Sequence, residues 1–480
     1  MQASLSRARS RANMDLLSGG FGPSVDQARL LQEDADDLVL GLAKVTDEIR
    51  RLTVLHEQIS HQLKITRSTL APIRRLPAEL LSEIFIHFVE TSETRNDPLL
   101  ITTTLARVCC HWRGIAWNTA RHWSHIQATY DHLSPSPTAI IARSSKQASL
   151  TTSTPLVLTA EETRQGPEPT LLRQLLGHLG SHTARLRTIT YRGRCPSFTE
   201  DDNWDFSALQ TIDLSMTLPR PRASLTFLRG ASALKQLILR FWPESPAHDM
   251  VSLHFVTFPM LEYLELRIDT FPSPTILALL SAHRRTLLDA TIELGHFERW
   301  TPSTLPEMAR LRSISLGDEG HRVLRCINAP VLQDVWLYSR RQLTSDPFRS
   351  LSESSSISTI GSLTLEGLRP TTSCNFRACL KQLHGLRTLD ITQSPRASEC
   401  KLLCEGTLVR LTLRQDQAPR LVHLTKLTLT YGQYTPTQPS RVLKDAIRTM
   451  LASRKDANLC ASLGVDVLQN FNTDIDYMML

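Results

Sequence analysis

Apolar residues recur every seven positions in the first part of the chain, between Asp26 and about Thr66, a stretch with no Pro and only one Gly. One set holds Leu31, Leu38, Val45, Leu52 and Ile59, and a second set, four places later, holds Ala35, Leu42, Ile49, His56 and Leu63. This alternation of three and four is the a/d seam of a coiled coil, with the first set at d. The seam predicts a homodimer through residues 26–66 or pairing with a partner coiled coil. A helix folded back on its own domain is the alternative.

A helical period follows after Pro77, which suits the first turn of a helix. One apolar face consists of Leu80, Leu81, Ile84, Phe85 and Phe88. A second face consists of Leu105, Val108, Cys109, Trp112, Ile115 and Ala116. Two or three short helices this rich in apolar residues are too small to be well stabilised alone. We therefore expect this stretch to dock onto a partner.

From residue 186 onwards the chain repeats the pattern apolar-x-x-apolar-x-apolar. Copies begin at Leu186, Leu209, Leu234, Leu261, about residue 289, Leu311, Leu332, Ile360, Leu386, Leu408 and Leu424. Their mean spacing of about 24 residues is typical of a leucine-rich repeat, whose period is 20–29 residues. The spacing is irregular, and the Asn or Cys of a regular repeat is missing, so a β-sandwich or a propeller is the alternative. Intervening helices, as at 274–283 and 375–384, favour the repeat.

The stretch from Ile73 to Ile126 resembles an F-box. It carries Leu-Pro-x-Glu-Leu-Leu-x-x-Ile-Phe from Leu76, then Val-Cys-x-x-Trp-Arg-x-Ile-Ala from Val108, and a later Trp-x-x-Ile at Trp123. We call residues 73–126 the F-box-like segment. The resemblance implies docking to the Skp-type adaptor of a cullin-RING (SCF) ubiquitin ligase. The residues it assigns to that contact are Leu76, Pro77, Leu80, Leu81, Ile84, Phe85, Leu105, Val108, Cys109 and Trp112. The connector 91–104 is longer and more polar than in the family, so the middle of this interface differs from the family pattern.

The expected fold class is therefore α plus α/β: an N-terminal coiled-coil helix, a small all-α F-box module, and an irregular leucine-rich-repeat α/β solenoid. The expected divisions are a disordered tail (1–25), the coiled-coil helix (26–70), the F-box domain (71–130), a linker with an N-terminal cap (131–184), the solenoid (185–440) and a C-terminal cap (441–480).

Composition narrows the possible functions. The 480 residues carry a net charge of +7, too modest to indicate a nucleic-acid partner. The chain contains no run of 18 apolar residues, so we expect no membrane span. The nine scattered cysteines and the lack of a secretory signal favour reduced thiols in the cytoplasm, the nucleus or both. Cys400 and Cys404 lack the second pair that a zinc site needs.

No catalytic motif is present, neither a Gly-rich phosphate loop nor His-Glu-x-x-His, so we expect no active site, no metal and no cofactor. Outward-facing strand residues are the candidates for protein binding. Those selected as substrate-binding are Arg240, Tyr263, Arg267, Trp336, Tyr338, Arg410 and Arg414, because aromatic and Arg side chains are common at interface hot spots. The alternative for Trp336 and Tyr338 is packing against a neighbouring loop, and the alternative for the arginines is a solvated face.

These observations predict the substrate-recognition subunit of an SCF-type E3 ubiquitin ligase. The F-box-like segment would bind the adaptor and, through it, the cullin, while the repeats would bind an unknown protein substrate. The alternative is an interaction scaffold that uses the adaptor outside a ligase.

Overall fold

A computed structural model of the chain describes most of the sequence. The described residues are 2–12, 22–91, 104–131, 136–151, 153–163, 170–198, 202–218, 222–243, 252–254, 256–270, 273–296, 307–341, 343, 345–368, 373–393, 402–431 and 441–475. The chain divides into two compact units, Met1–Ile84 and Phe85–Leu480.

The first unit is helical. Helix α1 spans Gln2–Arg11, where a disordered tail was expected, and α2 spans Val25–Leu70 in 46 residues. Ser24 caps the N-terminus of α2: its side chain accepts from the backbone N–H of Gln27, whose own side chain accepts from the Ser24 N–H. This reciprocal capping box satisfies two donors that the helix leaves without a partner. A short 3₁₀ turn, Pro72–Arg75, separates α2 from helix α3, Ala78–Thr91, within which the two units meet in sequence.

The second unit alternates strands and helices. Its helices are α4 (Cys110–Asn118), α5 (Ala120–Trp123), α6 (Pro137–Ser149), α7 (Leu171–Leu179), α8 (Ser273–Ala282), α9 (Pro347–Ser352), α10 (Ser373–Gln382), α11 (Glu405–Leu411), α12 (Arg441–Lys455) and α13 (Ala457–Leu463). Its strands are β1 (His125–Tyr130), β2 (Leu156–Glu162), β3 (Leu186–Arg194), β4 (Thr211–Leu218), β5 (Arg222–Ser224), β6 (Gln236–Pro243), β7 (Ser252–His254), β8 (Tyr263–Thr270), β9 (Asp289–His296), β10 (Ser313–Asp318), β11 (Asp334–Tyr338), β12 (Ser362–Glu366), β13 (Thr388–Thr392), β14 (Lys426–Thr430) and β15 (Asn470–Thr473).

Thirteen of these strands form one sheet in which every pairing is parallel and the strands follow chain order. The exceptions are β5 and β7, which pair with each other in a small separate sheet. Parallel neighbours need a crossover between them, which the intervening helices and loops supply.

The core of the second unit lies under one face of the large sheet. A row of directly paired side chains crosses nine strands, and each member is at most 1% exposed. The row consists of Leu214, Leu239, Leu266, Ile292, Leu316, Leu337, Leu365, Ile391 and Leu429. Each fully buried Leu or Ile contributes about 1.5–3 kcal/mol relative to an exposed one. The apolar residues of the repeated pattern therefore pack against one another and form the core of the second unit.

The expected fold class is wrong. A small all-α module followed by a leucine-rich-repeat solenoid is not what the chain forms. The sheet begins at His125, inside the stretch assigned to the all-α module, and continues through residues assigned to a linker and cap as an α/β arrangement of 13 parallel strands. The β-sandwich and propeller alternatives fail as well, since all thirteen strands are parallel. Strands do lie at ten of the eleven repeat positions, whereas Leu408–Leu411 lies in helix α11.

No helix in the described part of the chain is both long enough and apolar enough to cross a membrane.

Candidate functional site

Helix α3 presents apolar side chains on two different sides. Leu80 and Ile84, one turn apart, are 52% and 45% exposed, whereas Leu81, between them in sequence, is fully buried. An i, i+4 pair lies on one face of a helix. In the first unit, α3 therefore holds two large aliphatic side chains in solvent at the positions that the F-box resemblance assigns to the adaptor.

The Val-Cys-x-x-Trp-Arg motif organises the start of helix α4 in the second unit. The thiol of Cys109 accepts a hydrogen bond from the backbone N–H of Trp112 at 3.4 Å and caps the helix. The Trp112 ring lies 4.8 Å from that of Phe85. Arg113 donates from Nε to the carbonyl oxygen of Ala106 at 2.9 Å. Three of the motif's residues are thus engaged in local structure, while Val108 is 54% exposed.

The ten residues assigned to adaptor contact fall into three groups by exposure. Exposed are Pro77, Leu80, Ile84 and Val108; half-buried are Leu76, Cys109 and Trp112; buried are Leu81, Phe85 and Leu105. The buried group serves the core in this structure, so the residues accessible to a partner are mainly the exposed ones. The connector 92–103 lies outside the described residues.

A second candidate site lies on the face of the sheet opposite the core. Arg240 on β6 pairs with Asp213 on β4 and with Glu265 on β8, both at 2.9 Å. Glu265 also binds Arg267 at 2.7 Å, and Arg267 lies 3.6 Å from Glu293 on β9. Alternating charges therefore form a continuous ladder across four neighbouring strands.

Glu265 is the centre of this ladder and is 5% exposed. Burial alone would raise the pKa of its carboxyl group, but hydrogen bonds from Arg240 and Tyr263 and the charges of Arg240 and Arg267 outweigh it and lower the pKa. The carboxylate is thus held ionised. A fully paired set of charges is rigid, and its hydrogen-bonding geometry is fixed before any partner arrives.

Two aromatic residues extend the ladder. Trp336 and Tyr338 lie on the same side of β11, as predicted, with ring centroids 5.4 Å apart. The Tyr338 hydroxyl donates to Glu293 at 2.8 Å. The ring crosses β10 over Gly317, where an added Cβ would lie 2.6 Å from ring carbons of Tyr338. Tyr338 is thereby buried, and Trp336 remains 42% exposed.

Five of the seven substrate-binding candidates lie on this face: Arg240, Tyr263, Arg267, Trp336 and Tyr338. Arg410 lies on helix α11, where its Nε donates to the Gly406 carbonyl, and Arg414 follows that helix, so neither is on a strand. Sequence reasoning missed Asp213 and Glu293. Both alternate with buried apolar neighbours on their strands, which was the available signal.

A cleft of about 670 Å³ lies beside the ladder, at the carboxyl ends of β2, β3, β4 and β6. Its lining includes Glu161, Arg192, Arg194, Ser215, Arg240 and Trp242. Trp242 is 47% exposed, and the cleft combines both signs of charge with hydroxyl groups. This chemistry suits a polypeptide better than a highly charged polymer.

The sequence was compared with models of known protein families and with curated proteins, and neither comparison found a match. The F-box resemblance therefore rests on the residues of this chain alone. Among the described residues, no group of three or more His, Cys, Asp or Glu side chains could hold a metal ion.

Proposed function

We propose that this chain is a substrate-recognition subunit of an SCF-type cullin-RING ubiquitin ligase. One observation carries the proposal: in a helix that opens with Leu-Pro, Leu80 and Ile84 face solvent although the same helix buries Leu81. Large exposed aliphatic side chains at adjacent turns are typical of a surface that binds a partner. The resemblance of the F-box-like segment to an F-box implies that this partner is a Skp-type adaptor.

The substrate would bind the outward face of the sheet. Interface hot spots are enriched in Trp, Tyr and Arg. Trp242 on β6 and Trp336 on β11 supply exposed aromatic surface on this face, and ion pairs hold Arg240 and Arg267 in fixed positions in the ladder. The protein's role is positional, since it brings substrate lysines close to a ubiquitin-loaded enzyme and raises their effective concentration there. We place this activity in the cytoplasm, the nucleus or both.

The test is capture of purified adaptor and cullin by the full chain. Leu80→Asp introduces a charge into an apolar contact, which should cost about 2 kcal/mol or more, or over 20-fold in affinity. Leu40→Asp is the matched control, because Leu40 is an equally exposed leucine (57%) outside the motif. Its capture of adaptor should equal that of the wild type.

Three outcomes are informative. Failure of the wild type to bind adaptor contradicts the proposal. Equal losses for Leu80→Asp and Leu40→Asp contradict the assignment of the contact to α3. Capture of adaptor without cullin favours the interaction scaffold.

A further inference from the structure

Helix α2 leaves most of its a/d seam in solvent. The exposed seam residues are Leu42 (68%), Ile49 (60%), Leu52 (49%), Ile59 (59%) and Leu63 (47%). A single helix with a narrow apolar stripe buries little, and its stability in a protein comes from packing that stripe. In the described part of the chain, the apolar stripe of this 46-residue helix is therefore exposed over its second half.

The charges on α2 are compatible with pairing to an identical helix. Fourteen charged residues lie between Asp26 and Arg67, and none occupies an a or d position. Asp47–Arg50 and Glu48–Arg51 form ion pairs along the helix itself, at 2.7 Å each. In a parallel pair in register, the g-position residue Glu48 would face Thr53 of the other copy, so no like charges meet at the flanks.

Helix α1 covers one side of the first half of the same seam. Arg7 binds Asp37 at 2.8 Å, and Arg11 binds Asp34 at 3.3 Å, so α1 runs antiparallel to α2. Asp34 is buried here. The d-position residues of this half, Leu31, Leu38 and Val45, are half-buried. Those of the second half, Leu52 and Ile59, are exposed.

We propose that α2 pairs through this seam with a second copy of the chain, and that α1 competes with the second copy for the first half. With α1 in place, the stretch in which both the a and the d residues are exposed runs from Ile49 to Leu63, about two heptads, which pair weakly. With α1 displaced, nearly five heptads become available. A self-complementary stripe is satisfied by an identical helix in register, which is the reason for choosing a second copy over an unrelated helix.

Sedimentation equilibrium of the full chain tests the pairing. The wild type should dimerise with a Kd in the micromolar range, and Leu52→Asp should weaken it by about 100-fold. Leu40→Asp, at an f position on the opposite side of the helix, should leave the Kd unchanged. A wild type that stays monomeric at about 200 μM overturns the proposal. An equal effect of the two substitutions overturns the assignment to the seam.

The cover formed by α1 is tested in the same measurement. Arg7→Ala with Arg11→Ala removes the ion pairs to Asp34 and Asp37, and the Kd should fall by about tenfold. Arg9→Ala is the matched control, since in the described part of the chain Arg9 is exposed and has no ion pair. A Kd that is unchanged or higher in the double variant overturns the competition. Adaptor capture is independent of these results, so the two proposals can fail separately.

Discussion

Helix α2 and the parallel sheet use the same kind of side chain in opposite ways. On α2, Ile49 is 60% exposed, whereas Leu264 on β8 is completely buried. The sheet covers its apolar rows with its own crossover segments. The seam of α2 repeats every seven residues, and its second half is exposed among the residues that the structure describes. An apolar repeat thus indicates that burial is required, and the geometry of the element decides whether the chain itself or a partner supplies it.

The largest expected effect comes from the buried side of this comparison. Leu264→Ala removes a side chain that is 0% exposed in the continuous core. The lost burial and the cavity should destabilise the protein by about 2–5 kcal/mol. Urea unfolding measures this through a lower midpoint at unchanged slope. A loss below about 1 kcal/mol would show that the sheet is not packed as described.

The polar face of the sheet provides the next test. Gly317→Ala places a methyl group 2.6 Å from the Tyr338 ring, so the ring must move and its hydrogen bond to Glu293 weakens. Overpacking of this kind costs about 1–3 kcal/mol. Thermal unfolding should show the loss in Gly317→Ala and little further loss when Tyr338→Ala is added. The smaller residue removes the contact with the ring, and the remaining contact, with Cγ of Glu293 at 2.8 Å, is to a flexible side chain. Additive losses would contradict the close approach.

A buried histidine tests how well the second unit excludes water. Burial, and next the charge of Arg121, lower the pKa of His122 to about 4 from an ordinary value near 6.5. Between these values the unfolded chain binds a proton that the folded protein does not. Stability should therefore fall by about 2–3 kcal/mol as the pH decreases from 6.5 to 4.

The variant His122→Leu isolates this contribution, because it removes the titrating ring. The difference in unfolding free energy between pH 6.5 and pH 4 should be smaller in His122→Leu than in the wild type. His178→Asn is the control, since His178 is exposed. An unchanged pH dependence in His122→Leu would mean that the ring is hydrated.

Sequence reasoning predicted most strands because alternation with a buried face is a local signal. It failed at Leu408 and Leu411, where apolar-x-x-apolar fits one face of a helix as well as a strand, and α11 buries both residues. Strand β15, Asn-Phe-Asn-Thr, has a single apolar residue and no readable pattern. Helix α1 forms ion pairs with Asp37 and Asp34, which are 30 and 23 residues away from their partners and belong to no local pattern.

The candidate sites were predictable to a similar extent. Arg240 and Arg267 could be placed on one face from strand alternation, but the pairing of Arg240 with Glu265 depends on the register of β6 against β8. The F-box-like motif predicted a helix after Pro77, and α3 lies there. It could not separate the exposed Leu80 from the buried Leu81, because which side of α3 faces solvent is decided by tertiary packing.

The smallest expected effect comes from the exposed seam of helix α2. Leu63→Ala at nanomolar concentration, where the proposed dimer is dissociated, should change the unfolding free energy by less than about 0.5 kcal/mol, since an exposed side chain loses little on truncation. The same substitution should lower stability more strongly at high protein concentration, because there the seam is buried against a second copy. Fluorescence-detected unfolding at both concentrations measures the difference. A loss above about 1 kcal/mol at nanomolar concentration would mean that the monomer already covers the seam, and the contrast between helix and sheet would disappear.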